Sequence, residues 1–143
     1  MENLYEKHCE ACQMGAQLVS DEEANDLLIK VPGWKRDFHE GVEKLIREFH
    51  FVEFKDSFAF TYKIATLSKR ENHHPSILTE WGKVTVFWWT HKINGLHVND
   101  FIMAAKTNMI AKLSAPLNIP TPLTGVFPCR LIPNLCLNNS IML

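Results

Sequence analysis

Two pairs of strand-like segments are each joined by a turn far too short for a crossover, and this limits the folds open to the chain more than any other feature. Residues 34–38 and 44–51 read as extended chain, with Gly41 in the 39–42 stretch between them. Residues 77–81 and 83–90 repeat the arrangement around Gly82. Parallel neighbours need a dozen or more connecting residues, so each pair folds as an antiparallel hairpin. Around the hairpins the period becomes helical. Ser20 followed by Glu23 has capping-box spacing, and Ala24, Leu27, Leu28 and Val31 form an apolar stripe, which predicts a helix over 21–30 stopped by Pro32-Gly33. Phe54, Phe58, Thr61 and Ala65 recur at helical spacing and predict a helix over 54–70. A third helix opens at Asn99 or Asp100, either of which can cap it, and runs toward Leu113. The order α-β-β-α-β-β-α describes an α+β sandwich with an antiparallel sheet.

The last strand carries more information than its length. Val84, Val86 and Trp88 point to one face, while Thr85, Phe87, Trp89 and His91 point to the other. Both faces are apolar. One is expected to meet the helices and the other to line a ligand cleft or a partner subunit.

Composition narrows the function classes. A chain of 143 residues with 46% hydrophobic content can bury one sizeable core, and a net charge of -1 provides no field for a nucleic-acid backbone or an anionic membrane. Direct nucleic-acid or membrane binding is therefore not expected. The polar start lacks a secretory apolar core, and no run approaches the roughly 20 apolar residues of a membrane span, so the expected location is cytoplasmic. Cys9 and Cys12 form one CxxC, but Cys129 and Cys136 do not complete a four-thiolate zinc pattern, and the thiols read as spectators. From Ala115 onward Pro116, Pro120, Pro122, Pro128 and Pro133 interrupt a stretch whose single charged side chain is Arg130. The division is a leader over 1–17, a domain over 18–113 and a Pro-rich tail over 114–143 with no assignable role.

Of the seven histidines, three are placed to act together. His73 and His74 stand just before Pro75, at the junction of the second helix with a strand, and Pro75 biases that junction away from helix. His91 ends the strand that pairs with the one beginning at Ile77. Because the turn lies near Gly82, the hairpin brings Pro75 and His91 together and converges three imidazoles on one sheet edge. Such a set can bind zinc or move protons. Adjacent histidines are poorly spaced to turn both rings onto one ion, unlike the helical spacing of HExxH, so acid–base chemistry is the better reading. His8, His39, His50 and His97 read as structural. Trp81, Trp88 and Trp89 read first as sheet packing, although an aromatic wall also suits a planar heterocycle, and Asp100 reads first as a helix cap.

The segment ENHHPSILTEWGKVTVFWWTHKINGLHVNDFIMAAKT, residues 71–107, resembles the pterin-4a-carbinolamine dehydratase family, known also as dimerisation cofactors of a homeodomain transcription factor. The spacing of His73, His74, Pro75, Trp81, His91 and Asp100, with Lys69 ahead of them, matches the family pattern. The likeness runs back more loosely through LVSDEEANDLL, PGW and REFHFVEFKDSFAF to the Cys9 leader, and it does not include 114–143.

The resemblance implies a four-stranded antiparallel sheet with three helices packed on one face, associated as a homodimer or homotetramer. It implies a 4a-hydroxytetrahydropterin substrate, dehydrated to quinonoid dihydropterin in tetrahydrobiopterin recycling, with no cofactor and no metal. On this reading His73 and His91 are the acid–base pair and His74 orients the pterin. Pro75 shapes the site, Trp89 and Thr90 hold the pterin edge, Trp34 or Trp81 supplies an apolar wall, and Asp100 is mainly structural. A protein-binding cofactor for a transcription factor, or a pterin-binding relative in molybdopterin metabolism, is the alternative.

Overall fold

The structure is a computed structural model and describes residues 3–10 and 16–114. Cys12, Cys129, Cys136 and the tail from Ala115 onward lie outside the described residues, and so do the readings that rest on them.

Ser20 opens the first helix, α1 (Asp21–Ile29), by accepting the Glu23 N–H at 3.2 Å, and the chain leaves it through Pro32-Gly33. Gly33 has φ of 86°, a left-handed conformation that favours glycine, and it faces the Arg47 guanidinium. The first hairpin follows as β1 (Lys35–His39) and β2 (Val42–His50). Its two-residue turn, Glu40-Gly41, has both φ values positive, which matches the right-handed twist of the flanking strands. Helix α2 (Phe54–Glu71) ends in left-handed Asn72, and the second hairpin is β3 (Ser76–Glu80) and β4 (Lys83–Trp88), turned at Trp81-Gly82. Helix α3 (Val98–Ser114) closes the domain.

The strands pair antiparallel throughout in the order β1-β2-β4-β3. Val84, Val86 and Trp88 of β4 and Leu45 and Phe49 of β2 join Phe60, Ile64 and Leu67 of α2 and Phe101 and Met103 of α3 in one core. This is the expected α+β order, with the helices over one face of the sheet.

Three local features differ from the sequence-based expectation. Strand β4 stops at Trp88 instead of continuing to 90, because Thr90 leaves the ladder to bridge Gly95 and the chain enters a 3-10 turn, His91–Ile93, closed by left-handed Asn94. Helix α3 starts at Val98, ahead of Asn99, because His97 serves as the cap: its ring nitrogen accepts the Asn99 N–H at 3.2 Å, and its own N–H donates to Asp100 at 2.8 Å. The leader is not separate from the domain over residues 3–10, since Leu4 is buried in the core within a short 3-10 helix, Leu4–Glu6, packed on α3. No helix among the described residues is long and apolar enough to cross a membrane.

Candidate active site

At the end of α2 the left-handed Asn72 turns the chain, the His73 N–H returns to the Ser68 carbonyl at 3.1 Å, and the imidazole of His73 enters the domain. The ring is 5% exposed and stacks on Trp88 with 5.7 Å between centroids. Its Nε2 lies 2.6 Å from Oδ1 of Asp100, a carboxylate fully buried at the first turn of α3. A buried carboxylate requires donors, and Asp100 has three: the His73 ring, the Thr90 hydroxyl at 3.0 Å and the His97 N–H at 2.8 Å. One residue thus caps α3 and fixes an imidazole.

His91 reaches the same cleft from the 3-10 turn after β4. Its Nε2 donates to the His74 carbonyl at 3.2 Å, which ties the two approaches to the cleft across the hairpin base. A carbonyl only accepts, so Nε2 of His91 carries the hydrogen, and an ionised Asp100 imposes the same on Nε2 of His73. The His74 side chain is exposed beside them.

These groups line a cleft of about 770 Å³, large enough for a bicyclic heterocycle, together with Thr90, Asn72, Lys92, Glu71, Cys9 and Glu10. The last five were not anticipated from sequence. Cys9 and Glu10 belong to the leader, which is strapped down by the Cys9 N–H to Glu71 at 3.3 Å and by reciprocal bonds with the Asn99 amide, Glu10 N–H to Oδ1 at 3.1 Å and Nδ2 to the Glu10 carbonyl at 2.8 Å. Glu71 is buried and pairs with Lys106 of α3 at 2.6 Å. Burial pushes its carboxyl up, but the hydrogen bonds from Lys106 and the Cys9 N–H and the Lys106 charge outweigh this and hold it below the ordinary carboxylate value. The local sequence signal for the strap is confined to a polar leader carrying a CxxC, which does not indicate where it docks.

The cleft therefore joins His73, His74, His91 and Thr90, with Asp100 behind them. Thr90 spends its hydroxyl hydrogen on Asp100. Pro75 follows His74 at the edge, directing the chain into β3. Trp34 is not brought to the cleft: it is 5% exposed, edge-on to Phe49, with its indole N–H donating to Asn108 of α3 at 2.7 Å. Trp81 is 74% exposed at the far turn of the second hairpin, on the order of 20 Å of strand from His91. Trp89 is buried against Lys44 and His91. Among the described residues no three of His, Cys, Asp or Glu are grouped to hold a metal ion.

Comparison with known proteins gives one family match: the sequence model of the Pterin 4 alpha carbinolamine dehydratase family fits residues 17–110. A crystal structure described as a transcriptional coactivator/pterin dehydratase from Brucella melitensis is 32% identical, covering 66% of this chain and 99% of that one, with a TM-score of 0.61. A pterin dehydratase-like protein described as a RuBisCO assembly factor in the alpha-carboxysome is 20% identical over 55% of this chain and 89% of that one, with a TM-score of 0.47. The second likeness is too slight to bear on function.

Proposed function

The chain belongs to the Pterin 4 alpha carbinolamine dehydratase family, and from that premise we propose that it removes water from a 4a-hydroxytetrahydropterin and releases quinonoid dihydropterin. The observation that carries this reading is the pairing of two differently held imidazoles in one cleft, buried His73 on Asp100 and exposed His91 on the His74 carbonyl.

Hydroxide is a poor leaving group, so an acid must protonate the departing 4a oxygen while a base takes the proton of the neighbouring ring N–H. The C–O bond breaks, a C=N bond forms and the oxygen leaves as water, with no net change in redox state. His73 and His91 form the acid–base pair, and His74 binds and orients the pterin. Asp100, 2.6 Å from Nε2, holds the His73 ring in one orientation. In this reading the enzyme converts the carbinolamine product of aromatic amino-acid hydroxylases to quinonoid dihydropterin, which a separate two-electron reduction returns to the tetrahydropterin pool.

The test is turnover on a 4a-carbinolamine. His73→Ala and His91→Ala are each expected to lower the rate by about 10²-fold with the fold retained. The double variant is expected to be little worse than the weaker single one, because the two act as a unit. His39→Ala, outside the cleft, is the control. The coactivator half of the Brucella protein's description marks the competing reading, a protein-binding module. Near-normal turnover in both motif variants would remove the histidine assignment and leave that module as the better account.

A further inference from the structure

Behind the cleft, the acid–base chemistry leaves one set of contacts unexplained. Trp89 is 9% exposed, and two groups lie against its indole: the Lys44 ammonium, 4.0 Å from the ring centroid, and the His91 imidazole, 4.1 Å between centroids at a tilt of 35°. The strand register explains how they meet. Leu45 of β2 pairs with Trp88 of β4, and both side chains enter the core, so Lys44 and Trp89, one residue along on each strand, share the opposite face of the sheet. Lys44 is 3% exposed, an unusual environment for an ammonium, and its ion pair to Glu40 at 3.3 Å reaches a carboxylate that is mostly in solvent. A cation buried in this way is attracted to an indole face, and the attraction grows with desolvation.

His91 needs such support. It opens a 3-10 turn of three residues and is exposed, and the hydrogen bond from Nε2 to the His74 carbonyl still permits the ring to rock about that bond. A proton-transferring imidazole displaced by about 1 Å forfeits much of its effect, up to 10²-fold. We propose that Lys44 and Trp89 are positioning residues for His91: the ammonium pins the indole, and the indole sets the orientation of the imidazole over the cleft. The inference rests on His91 acting in the proposed dehydration, and it gives Trp89 a role distinct from holding the pterin edge.

The test combines kinetics with a signal that does not depend on turnover. Trp89→Leu is expected to lower kcat by about tenfold with KM unchanged, and Trp89→Phe to recover most of the loss because a ring face remains. Lys44→Met keeps the stem and removes the charge, and is expected to lower kcat by about threefold, again without a change in KM. In the NMR spectrum of the intact protein the His91 ring protons are expected to be displaced by the Trp89 ring current, with the displacement reduced in Lys44→Met and lost in Trp89→Leu. If Trp89→Leu does not fold, Lys44→Met and Trp89→Phe decide the matter. A raised KM with unchanged kcat in the Trp89 variants would overturn the proposal by making the indole part of the substrate pocket. Unchanged kcat and unchanged His91 resonances in Lys44→Met would overturn the part given to lysine. Normal turnover in His91→Ala would instead remove the dehydration reading, while the resonances would still report whether lysine and indole hold the ring.

Discussion

Asp100 is where one side chain does two jobs that sequence can separate only in part. Its spacing marks a helix cap, and the motif marks it as part of a set. Neither reveals that one carboxylate takes the cap N–H and the Thr90 hydroxyl on Oδ2 and the His73 ring on Oδ1. Because every partner is a donor, Asp100→Asn sets an amide N–H₂ against at least one of them. The variant is expected to lower turnover by about 10²-fold and to cost about 1–3 kcal/mol of stability, read from kcat and from the denaturation midpoint. Trp34 and Trp81 show the opposite limit of sequence reading. The family resemblance offers either as an apolar wall, yet strand direction carries Trp81 to the far turn, and the Asn108 bond holds Trp34 in the core. Sequence distance does not encode such placements.

The elements were legible to within a residue or two wherever local chemistry sets the boundary: a serine cap for α1, a glycine turn for each hairpin, Pro32-Gly33 after α1. Boundaries set by tertiary pairing were not. Alternation in β4 continues past Trp88, and only the bridge from Thr90 to Gly95 ends the ladder. The same holds for Glu71, the last residue of α2, which ties that helix to Lys106 of α3 and to the leader through Cys9. Removing one partner of a buried pair leaves an uncompensated charge, so Lys106→Met is expected to cost about 3 kcal/mol in chemical denaturation. The pH dependence follows from the direction of the shift. The Glu71 carboxyl titrates lower in the folded chain than in the unfolded one, so its contribution is present above the ordinary carboxylate range and is lost as pH falls through the lowered folded value. Glu71→Gln is therefore expected to be less stable near neutrality and to lose less stability on acidification, which acid titration of the unfolding midpoint measures.

At the scale of the molecule, the family model accounts for residues 17–110. The Brucella relative is matched over 99% of its own length by 66% of this chain, so a chain ending at Ser114 is expected to fold and keep its turnover. An insoluble product would show that residues 115–143 cover apolar surface of the domain. Acid–base catalysis by imidazoles further predicts turnover unchanged after exhaustive chelation, and loss with EDTA restored by zinc would transfer the chemistry to a metal. The leader strap has a consequence in time. Glu10 and Asn99 are 89 residues apart, so this part of the cleft wall, made well before α3 during synthesis, must wait for that helix before it can dock. Such non-local closure is slow to form, and a short strap held by a few bonds between its backbone and the side chains of Glu71 and Asn99 is among the first parts to open. Refolding followed by ligand binding is accordingly expected to lag refolding followed by core fluorescence, and a bulky tag on Met1 would burden the last step of assembly rather than the folding of the sheet.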